Sequence, residues 1–320
     1  MLARSLILRS AGLKPVESTV RRSRLFRPLV KRFIAGDTLS ESLDACRSLL
    51  DRSLKITLDY LGENTHSEAE ANAAKDTFVD MLDEVARVPE VRAFVPPPAG
   101  GPFNSEPLNI SIKLTQCGLD LGNDVAERNY RQVLDAAKPS GNFVRVDMES
   151  SEYTQRTVDL VSKALREGYN TGTVLQSYLH RTDDDVELMV QLQARVRIVK
   201  GAYLEPASVA YPEKSKVDEA FVRQSKRLMS AGFYPAIATH DEKIIEELKA
   251  YAAAEKIDPS RYEFQMLYGI RRDLQEGLRK DGYNVRIYVP FGSQWYPYFT
   301  RRLAERPANA LFILRSLFKG

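Results

Sequence analysis

Short apolar runs alternate with longer amphipathic stretches eight times in this sequence, and this alternation restricts the fold more than any other feature. The apolar runs are rich in β-branched and aromatic residues, which favour strands. They occupy residues 54–60, 107–114, 143–148, 172–178, 195–200, 234–239, 261–267 and 284–289. The helix-like stretches that follow them lie at about residues 68–87, 123–137, 152–168, 183–193, 215–231, 241–255, 270–281 and 294–306. Such alternation predicts parallel strands joined by crossover helices.

Eight strand–helix units predict an α/β protein built on a (β/α)8 barrel of the TIM type. The alternative is a doubly wound sheet, whose dinucleotide-binding form carries G-x-G-x-x-G after its first strand. The sequence has no such motif, because Gly100–Gly101 lies in the Pro-rich loop 95–103. We therefore divide the chain into an N-terminal helical arm, residues 1–53, and a barrel catalytic domain, residues 54–320.

The uneven distribution of charge argues against a nucleic-acid-binding fold. Residues 1–36 contain nine Lys or Arg and one Glu, whereas the remaining sequence contains 37 basic and 42 acidic residues. A nucleic-acid-binding domain carries its basic face on the main fold, so no nucleic-acid partner is expected. Two cysteines and three histidines are few for the usual zinc site, and no metal is expected.

The basic N-terminal arm has three interpretations. Its Arg- and Ser-containing composition is typical of a mitochondrial transit peptide, and an amphipathic arm on an anionic membrane surface has a similar composition. An apolar stripe from Leu25 to Ile34 also fits a helix that packs on the barrel. After Gly36, Thr38 and Glu41 form a capping box that predicts the start of another helix.

The stretch 284–306 begins as a strand and ends as a helix that carries two adjacent arginines. Pro290 and Gly292 are expected to end the strand. One face of the helix carries, at i, i+3, i+4 and i+7, the residues Tyr298, Arg301, Arg302 and Glu305. Two guanidiniums beside a tyrosine suit a small carboxylate, because each guanidinium offers forked donors.

Polar residues at the strand ends indicate a site, since barrel enzymes place their chemistry at the C-terminal ends of the strands. These residues are Lys113, Asp147, Gln176, Tyr178, Arg197, Lys200, Thr239, His240, Gln265 and Tyr288. The positively charged residues among them indicate that the ligand of this site carries an anionic group. Three chemistries remain open on these grounds: a Schiff base on Lys113 or Lys200, a phosphate at the late strands, or a flavin that takes hydride from an amino or hydroxy acid.

Six motifs resemble those of the proline dehydrogenase family. They are "SIKLTQ" at 111–116, "VRVDME" at 144–149, "RIVKGAY" at 197–203, "ATHD" at 238–241, "YEFQMLYGIR" at 262–271 and "RIYVPFG…YFTRRLAERPAN" at 286–309. The likeness extends from about residue 25 to the C-terminus with the motifs in order. Family members oxidise L-proline to Δ1-pyrroline-5-carboxylate, so the resemblance implies FAD held at the strand ends of a (β/α)8 barrel. The chain is similar to the short monofunctional bacterial form.

The resemblance also implies roles for individual residues. Asp147 and Arg197 take the catalytic positions, with Asp147 ordering the basic groups and Arg197 beside the flavin N5. The implied substrate-binding residues are Lys113, Leu267, Tyr288, Tyr298, Arg301 and Arg302. The implied FAD-contacting residues are Met148, Gln176, Val199, Lys200, Gly201, Thr239, His240 and Glu305. Members that prefer hydroxyproline carry a smaller residue at the position of Tyr288, so the tyrosine favours proline.

The implied reaction passes a hydride from proline C5 to flavin N5 and requires an unprotonated ring nitrogen. A cluster of cations favours that form by like-charge repulsion. Electrons are then expected to pass to a membrane quinone, and a separate pyrroline-5-carboxylate dehydrogenase to take the product. The runner-up function is a Schiff-base-forming barrel lyase that acts on a small carboxylate.

The expected location is the cytoplasm, with peripheral contact of the basic arm on the inner face of the membrane. If the arm is a transit peptide, the location is the mitochondrial matrix instead. A homo-oligomer is compatible with the sequence.

Overall fold

The computed structural model describes residues 27–62, 64–95 and 104–305, with side chains as far as Arg302. Within these residues, eight parallel strands follow one another around a closed barrel, and the last strand pairs with the first. The strands are β1 (Lys55–Tyr60), β2 (Leu108–Ile112), β3 (Val144–Val146), β4 (Thr171–Gln176), β5 (Arg197–Val199), β6 (Ala236–Ala238), β7 (Glu263–Leu267) and β8 (Asn284–Phe291). The predicted barrel is confirmed.

Helices connect the strands and surround the barrel. Within the described residues, two of them precede β1, namely α1 (Arg27–Phe33) and α2 (Leu39–Leu50). The other described α-helices are α3 (Glu68–Arg87), α4 (Pro89–Arg92), α5 (Asn123–Ala137), α6 (Ser151–Arg166), α7 (Thr182–Gln191), α8 (Lys214–Ala231), α9 (Glu242–Ala254), α10 (Arg272–Lys280) and α11 (Tyr296–Glu305). Helix α2 begins at the predicted capping box, where the Thr38 hydroxyl accepts the N–H of Glu41.

Strand β8 is longer than the sequence predicts. It continues through Pro290 to Phe291, although a proline is expected to end a strand. The pairing of β8 with β7 stops where Tyr288 meets Leu267, so the missing N–H of Pro290 costs no hydrogen bond to β7. The carbonyl of Pro290 instead accepts the N–H of Ala35 at 2.8 Å. The prediction that Pro290 ends the strand was wrong, because the N-terminal segment takes the place of β7 beside the last residues of β8.

The two N-terminal helices pack on the barrel at different places. Helix α2 contributes to the main core, which fills the space between the strands and the surrounding helices. Helix α1 belongs to a second apolar cluster together with α11. The backbone continues this contact, because the N–H of Gly292 donates to the carbonyl of Gly36 at 3.0 Å. Residues 27–36 therefore form part of the packed fold, whereas the transit-peptide and membrane-surface interpretations concern residues outside the described ranges.

Among the helices described, none combines the length and the apolar character that crossing a bilayer requires.

The interior of the barrel is polar, in contrast to the branched apolar layers that usually fill this fold. Outward-facing strand residues such as Ile56, Ile110 and Phe264 are fully buried in the main core. The inward-facing residues include Thr57, Asp59, Asn109, Ser111, Arg145, Asp147, Arg197, Glu263, Gln265 and Arg286, all of them buried. Charged groups in such a place need partners, because an unpaired buried charge is strongly unfavourable.

The N-terminal end of the barrel, here named the barrel floor, pairs its charges within a network of Glu106, Arg195, Glu263 and Arg286. Arg195 donates two hydrogen bonds to the carboxylate of Glu106, each 2.9 Å long. The Nε of Arg286 donates to both oxygens of Glu263, at 2.8 and 3.1 Å. Burial opposes ionisation of the two acids, but the neighbouring guanidiniums lower the pKa of each to about 2. These pairs close the base of the barrel.

We expect the free energy of unfolding to fall steeply as the pH drops from about 4.5 towards 2. The folded-state pKa of Glu106 and of Glu263 lies below the ordinary value of 4.5. Their ionised forms therefore stabilise the fold above that pH, and protonation removes the contribution, which is worth roughly 3 kcal/mol for each group. Urea unfolding at pH values between about 6 and 3 measures how steeply the free energy of unfolding changes with pH.

Two variants test whether the acids of the barrel floor cause this dependence of the unfolding free energy on pH. Glu263→Gln should flatten it, because one of the two acids no longer titrates. Glu84→Gln, which changes an acid on the surface of α3, should leave it unchanged. Identical slopes in all three proteins would show that the barrel floor does not determine acid stability.

Candidate active site

The carboxylate of Asp147 is the centre of a hydrogen-bonded cluster at the C-terminal end of the barrel, here named the barrel mouth. Its Oδ1 accepts from Arg197 Nη1 at 2.6 Å and from Ser111 Oγ at 3.0 Å. Its Oδ2 accepts from the Tyr288 hydroxyl at 2.6 Å. The four residues come from β2, β5, β8 and the position after β3. One carboxylate thus orients an arginine and a tyrosine from distant parts of the chain.

The guanidinium of Arg197 is held from a second side by Gln265 on β7. Arg197 Nε donates to Gln265 Oε1, and Gln265 Nε2 donates to Glu263 in the barrel floor. An amide used both as acceptor and as donor has a fixed orientation. The guanidinium carbon also lies 5.0 Å from the centroid of the Tyr288 ring. The guanidinium of Arg197 is therefore held in one orientation. Hydrogen bonds through Gln265 connect it to the barrel floor.

Lys113 follows the last residue of β2 and directs its ammonium group into the barrel. Its Nζ donates to Asp59 Oδ1 at 2.8 Å, and the two side chains are only 8% and 1% exposed. Burial raises the pKa of the Asp59 carboxyl, the Lys113 ammonium opposes this shift, and the nearby charge of Asp147 adds to it. This second acid–base pair lies beside the Asp147 cluster.

Tyr288 keeps its hydroxyl proton at neutral pH. Burial raises its pKa well above the ordinary value of 10, and the carboxylates of Asp147 and Asp59 raise it further. The hydroxyl therefore acts as a donor to Asp147. This places an uncharged aromatic ring at the edge of a charged cluster.

An apolar wall borders the charged cluster. The three residues predicted to surround a substrate ring belong to it, since Leu267 and Tyr288 pack against the buried cluster that contains Tyr298. Behind Tyr298, the rings of Trp295 and Phe299 meet edge to face at 5.8 Å. The structure thus brings these predicted residues together on one side of the barrel mouth.

Helix α11 places the predicted arginine pair beside this wall. Arg301 and Arg302 are both half-buried. The guanidinium carbon of Arg302 lies 5.0 Å from the centroid of the Tyr298 ring. Glu305 is the last residue of α11, and its side chain lies outside the described part of the structure.

The residues predicted to contact a cofactor surround the ends of β3 to β7. Gln176 Nε2 donates to the carbonyl of Glu149 at 2.8 Å. His240 Nε2 accepts the N–H of Leu267 at 3.0 Å, which fixes its ring beside the apolar wall. Met148 is buried and Val199 is half-buried.

Two other members of the cofactor set interact with acids of the surrounding helices and loops. Lys200 Nζ lies 2.6 Å from Asp218 and 3.3 Å from Asp241. The hydroxyl of Thr239 accepts the N–H of Asp241 at 3.2 Å. Asp241 therefore connects the ends of β5 and β6.

Gly201 occupies a position that no other residue fits. Its φ of +111° lies in the region that residues with a side chain rarely adopt, and an added Cβ would lie 2.2 Å from the ring of Tyr178. The glycine therefore lets the Tyr178 ring pack directly against the backbone that follows β5.

The sequence analysis identifies neither Asp59 nor Ser111, and it gives Gln265 no role beyond that of a polar strand end. Asp59 is the penultimate residue of the first apolar run, "LKITLDY", so its place near a strand end is the sequence signal that identifies it. Gln265 is recognisable as a polar strand end, but its role depends on an amide orientation that a sequence does not show. No sequence signal distinguishes Ser111 from any other serine in a strand.

Within the described ranges, no group of three or more His, Cys, Asp or Glu side chains is arranged to hold a metal ion.

Comparison with known proteins identifies the family. The family model described as "Proline dehydrogenase" matches residues 42–315. The chain is 40% identical to "Proline dehydrogenase 1" of Bacillus subtilis (strain 168) over 289 residues, covering 90% of each chain. It is 38% identical to "Proline dehydrogenase" of Deinococcus radiodurans over 297 residues, covering 91% of each chain. The chain belongs to the proline dehydrogenase family.

A solved structure shares the fold. It is the proline utilization A (PutA) protein from Bdellovibrio bacteriovorus inactivated by N-propargylglycine, which superposes with a TM-score of 0.79 at 25% sequence identity. The match covers 87% of this chain and 32% of that one. This proline dehydrogenase family member therefore corresponds to about a third of the larger PutA chain and to nearly the full length of its monofunctional relatives.

Membership determines the reaction class. The chain is a proline-oxidising enzyme that acts at the first step of proline catabolism, and the alternative of a Schiff-base lyase is not favoured. Proline dehydrogenases are in general flavoenzymes. The predictions of family, fold class and enzyme activity are confirmed, while the roles of individual site residues stay predictions.

Replacing Asp147 with leucine should lower the free energy of unfolding by roughly 3–5 kcal/mol, because Arg197 is left as a buried charge without its partner. Urea unfolding measures the change. The matched control is Asp135→Leu, which removes the partner of Lys138 on the surface and should cost no more than about 1 kcal/mol. Equal losses in the two variants would contradict the assigned importance of the Asp147 cluster.

Proposed function

We propose that the enzyme oxidises L-proline to Δ1-pyrroline-5-carboxylate with FAD at the barrel mouth. The observation that carries this proposal is the juxtaposition of the Asp147–Arg197–Tyr288 cluster with the apolar wall of Leu267 and Tyr298. A site with oriented cations on one side and a hydrocarbon-lined surface on the other suits a small ring that bears a carboxylate.

The residues around β4 to β7 fit a flavin. Gly201 lies just after β5 in a backbone conformation that favours glycine. Beside it, Gln176, Lys200 and His240 offer the polar groups that a ring system and a diphosphate require. When bound, the flavin supplies the hydride acceptor at its N5 atom. We assign Arg197 to that side of the site, because its guanidinium is fixed by Asp147 and Gln265 and presents a positive charge.

The other residues assigned to the cofactor are chosen by their position in the barrel. Met148, Val199 and Thr239 lie at the ends of β3, β5 and β6, the strands next to Gln176 and Arg197. Glu305 is assigned to the same set from the sequence motif alone.

Three cations are assigned to the substrate carboxylate. Arg301 and Arg302 approach it from α11, and Lys113 approaches it from β2. The forked donors of the arginines fix the direction of the carboxylate, so the ring is presented in one orientation. Leu267, Tyr288 and Tyr298 line the ring. The Tyr288 side chain occupies space that a ring hydroxyl would need, which favours proline over hydroxyproline.

The same cations prepare the substrate for oxidation. Loss of hydride from C5 requires the lone pair of the ring nitrogen, so the nitrogen must first lose a proton. Positive charges near the site disfavour the ammonium form by repulsion. Asp147 offsets part of this charge by accepting hydrogen bonds from Arg197 and Tyr288.

We propose a quinone as the electron acceptor and a separate pyrroline-5-carboxylate dehydrogenase as the next enzyme. The PutA relatives support the second assignment, since a "Bifunctional protein PutA" of Escherichia coli is 26% identical over 333 residues, which cover only 24% of that protein. We place the enzyme in the cytoplasm, with the basic residues that precede α1 contacting the anionic inner membrane surface.

The visible spectrum tests this proposal most directly. The purified protein should be yellow, and anaerobic addition of L-proline should bleach the flavin bands because the bound ring system is reduced. A water-soluble quinone should restore the colour. A colourless protein that borohydride links covalently to a keto acid would instead support the lyase.

Replacing Arg302 with lysine tests the carboxylate site. The variant should remain yellow, and its KM for proline should rise roughly 10- to 100-fold, because a point charge does not reproduce the forked donors. Steady-state kinetics measures the change. Arg87→Lys, a surface change next to Glu84 on α3, is the matched control and should keep the original KM. An unchanged KM in Arg302→Lys would remove α11 from the substrate site.

A further inference from the structure

We propose that Asp59 is a positioning residue that holds the ammonium group of Lys113 in the barrel mouth, where it binds the carboxylate of the substrate. The proposal rests on the substrate role assigned to Lys113 above. It adds a residue of β1, a strand to which the site assignments so far give no function.

The register of the barrel shows that Lys113 turns inward to reach this acid. Asp59 lies opposite Ser111 in the pairing of β1 with β2, so Lys113 is one inward-facing position further towards the barrel mouth. A lysine at such a rim ordinarily extends its ammonium group into solvent. Here Nζ instead lies 2.8 Å from Asp59 Oδ1, with only 8% of the lysine side chain exposed.

The bonding of Asp59 differs from that of Asp147. Asp147 accepts hydrogen bonds from Arg197, Ser111 and Tyr288. Asp59 Oδ1 accepts from Lys113, and among the described residues Asp59 Oδ2 is a buried oxygen with no hydrogen-bond partner. The two carboxylates thus hold different cations, because Asp147 binds Arg197 and Asp59 binds Lys113.

A structural ion pair alone explains this arrangement poorly. Leaving a buried carboxylate oxygen without a donor is costly, and apolar residues of similar volume often replace a buried pair without loss of stability. Asp59 is itself only 1% exposed, so its effect on a ligand passes through Lys113. An ammonium group has three donors, and binding one of them to Asp59 fixes the directions of the other two.

The first test is Asp59→Asn. The KM for proline should rise about tenfold, the size of one weakened charge-assisted contact, while kcat changes by less than about threefold because the flavin side of the site is untouched. Cyclopentanecarboxylate, a ring carboxylate that has no amine to oxidise, should lose affinity by the same factor in calorimetric titration. The flavin content should stay that of the parent protein.

A double-mutant cycle separates positioning from a general structural effect. The same Asp59→Asn change is made in the Lys113→Met background, where it should leave both the KM and the affinity for cyclopentanecarboxylate unchanged. An equal effect in both backgrounds would overturn the proposal, because Asp59 would then act without Lys113. An unchanged KM in the single variant would overturn it as well.

A second substitution covers the case in which Asp59→Asn does not fold. Asp59→Glu keeps the charge but moves the carboxylate by one methylene, so it should raise the KM and weaken cyclopentanecarboxylate binding in the same direction. Wild-type affinity in that variant would overturn the proposal. If the unsubstituted protein binds cyclopentanecarboxylate but does not oxidise proline, the proposed function is wrong. In that case the double-mutant cycle still tests the role of Asp59, because it can be carried out with the affinity for cyclopentanecarboxylate alone.

Discussion

The pairing of buried charge is the constraint on which this structure depends. A barrel lined with arginine, lysine, aspartate and glutamate is stable only if each charge has a partner in the correct geometry. The Arg197–Asp147 contact satisfies this requirement at the barrel mouth, and the Arg286–Glu263 and Arg195–Glu106 contacts satisfy it at the barrel floor. The apolar core lies outside the strands and holds the barrel closed around these pairs.

Within the described residues, the amide of Gln265 connects the two ends of the barrel. Gln265 accepts from Arg197 and donates to Glu263, which in turn binds Arg286. The orientation of the guanidinium at the barrel mouth is therefore set by groups at the barrel floor. A site assembled in this way needs little reorganisation when charge develops in it, which is the condition for electrostatic catalysis.

The sequence predicts the architecture because the barrel depends on a repeated pattern. Alternation of strands and helices specifies the barrel, and the strand-end rule selects Lys113 and Asp147 as candidate site residues. The partners of the site residues are harder to predict, since Asp59 and Gln265 act through distances between strands that are far apart in sequence. The course of β8 through Pro290 also escapes prediction, because it depends on Ala35 replacing a strand as its neighbour.

The contact between the N-terminal segment and the last strand has a consequence for how the protein acquires its activity during synthesis. Ala35 and Gly36 bind Pro290 and Gly292, and α1 packs on α11. Closing a loop of more than 250 residues is entropically costly and slow. A growing chain on the ribosome thus carries an incomplete barrel whose polar interior is open to water. The apolar wall at the barrel mouth is complete only after α11 has been synthesised and has packed on α1, so the candidate site assembles after the strands that surround it.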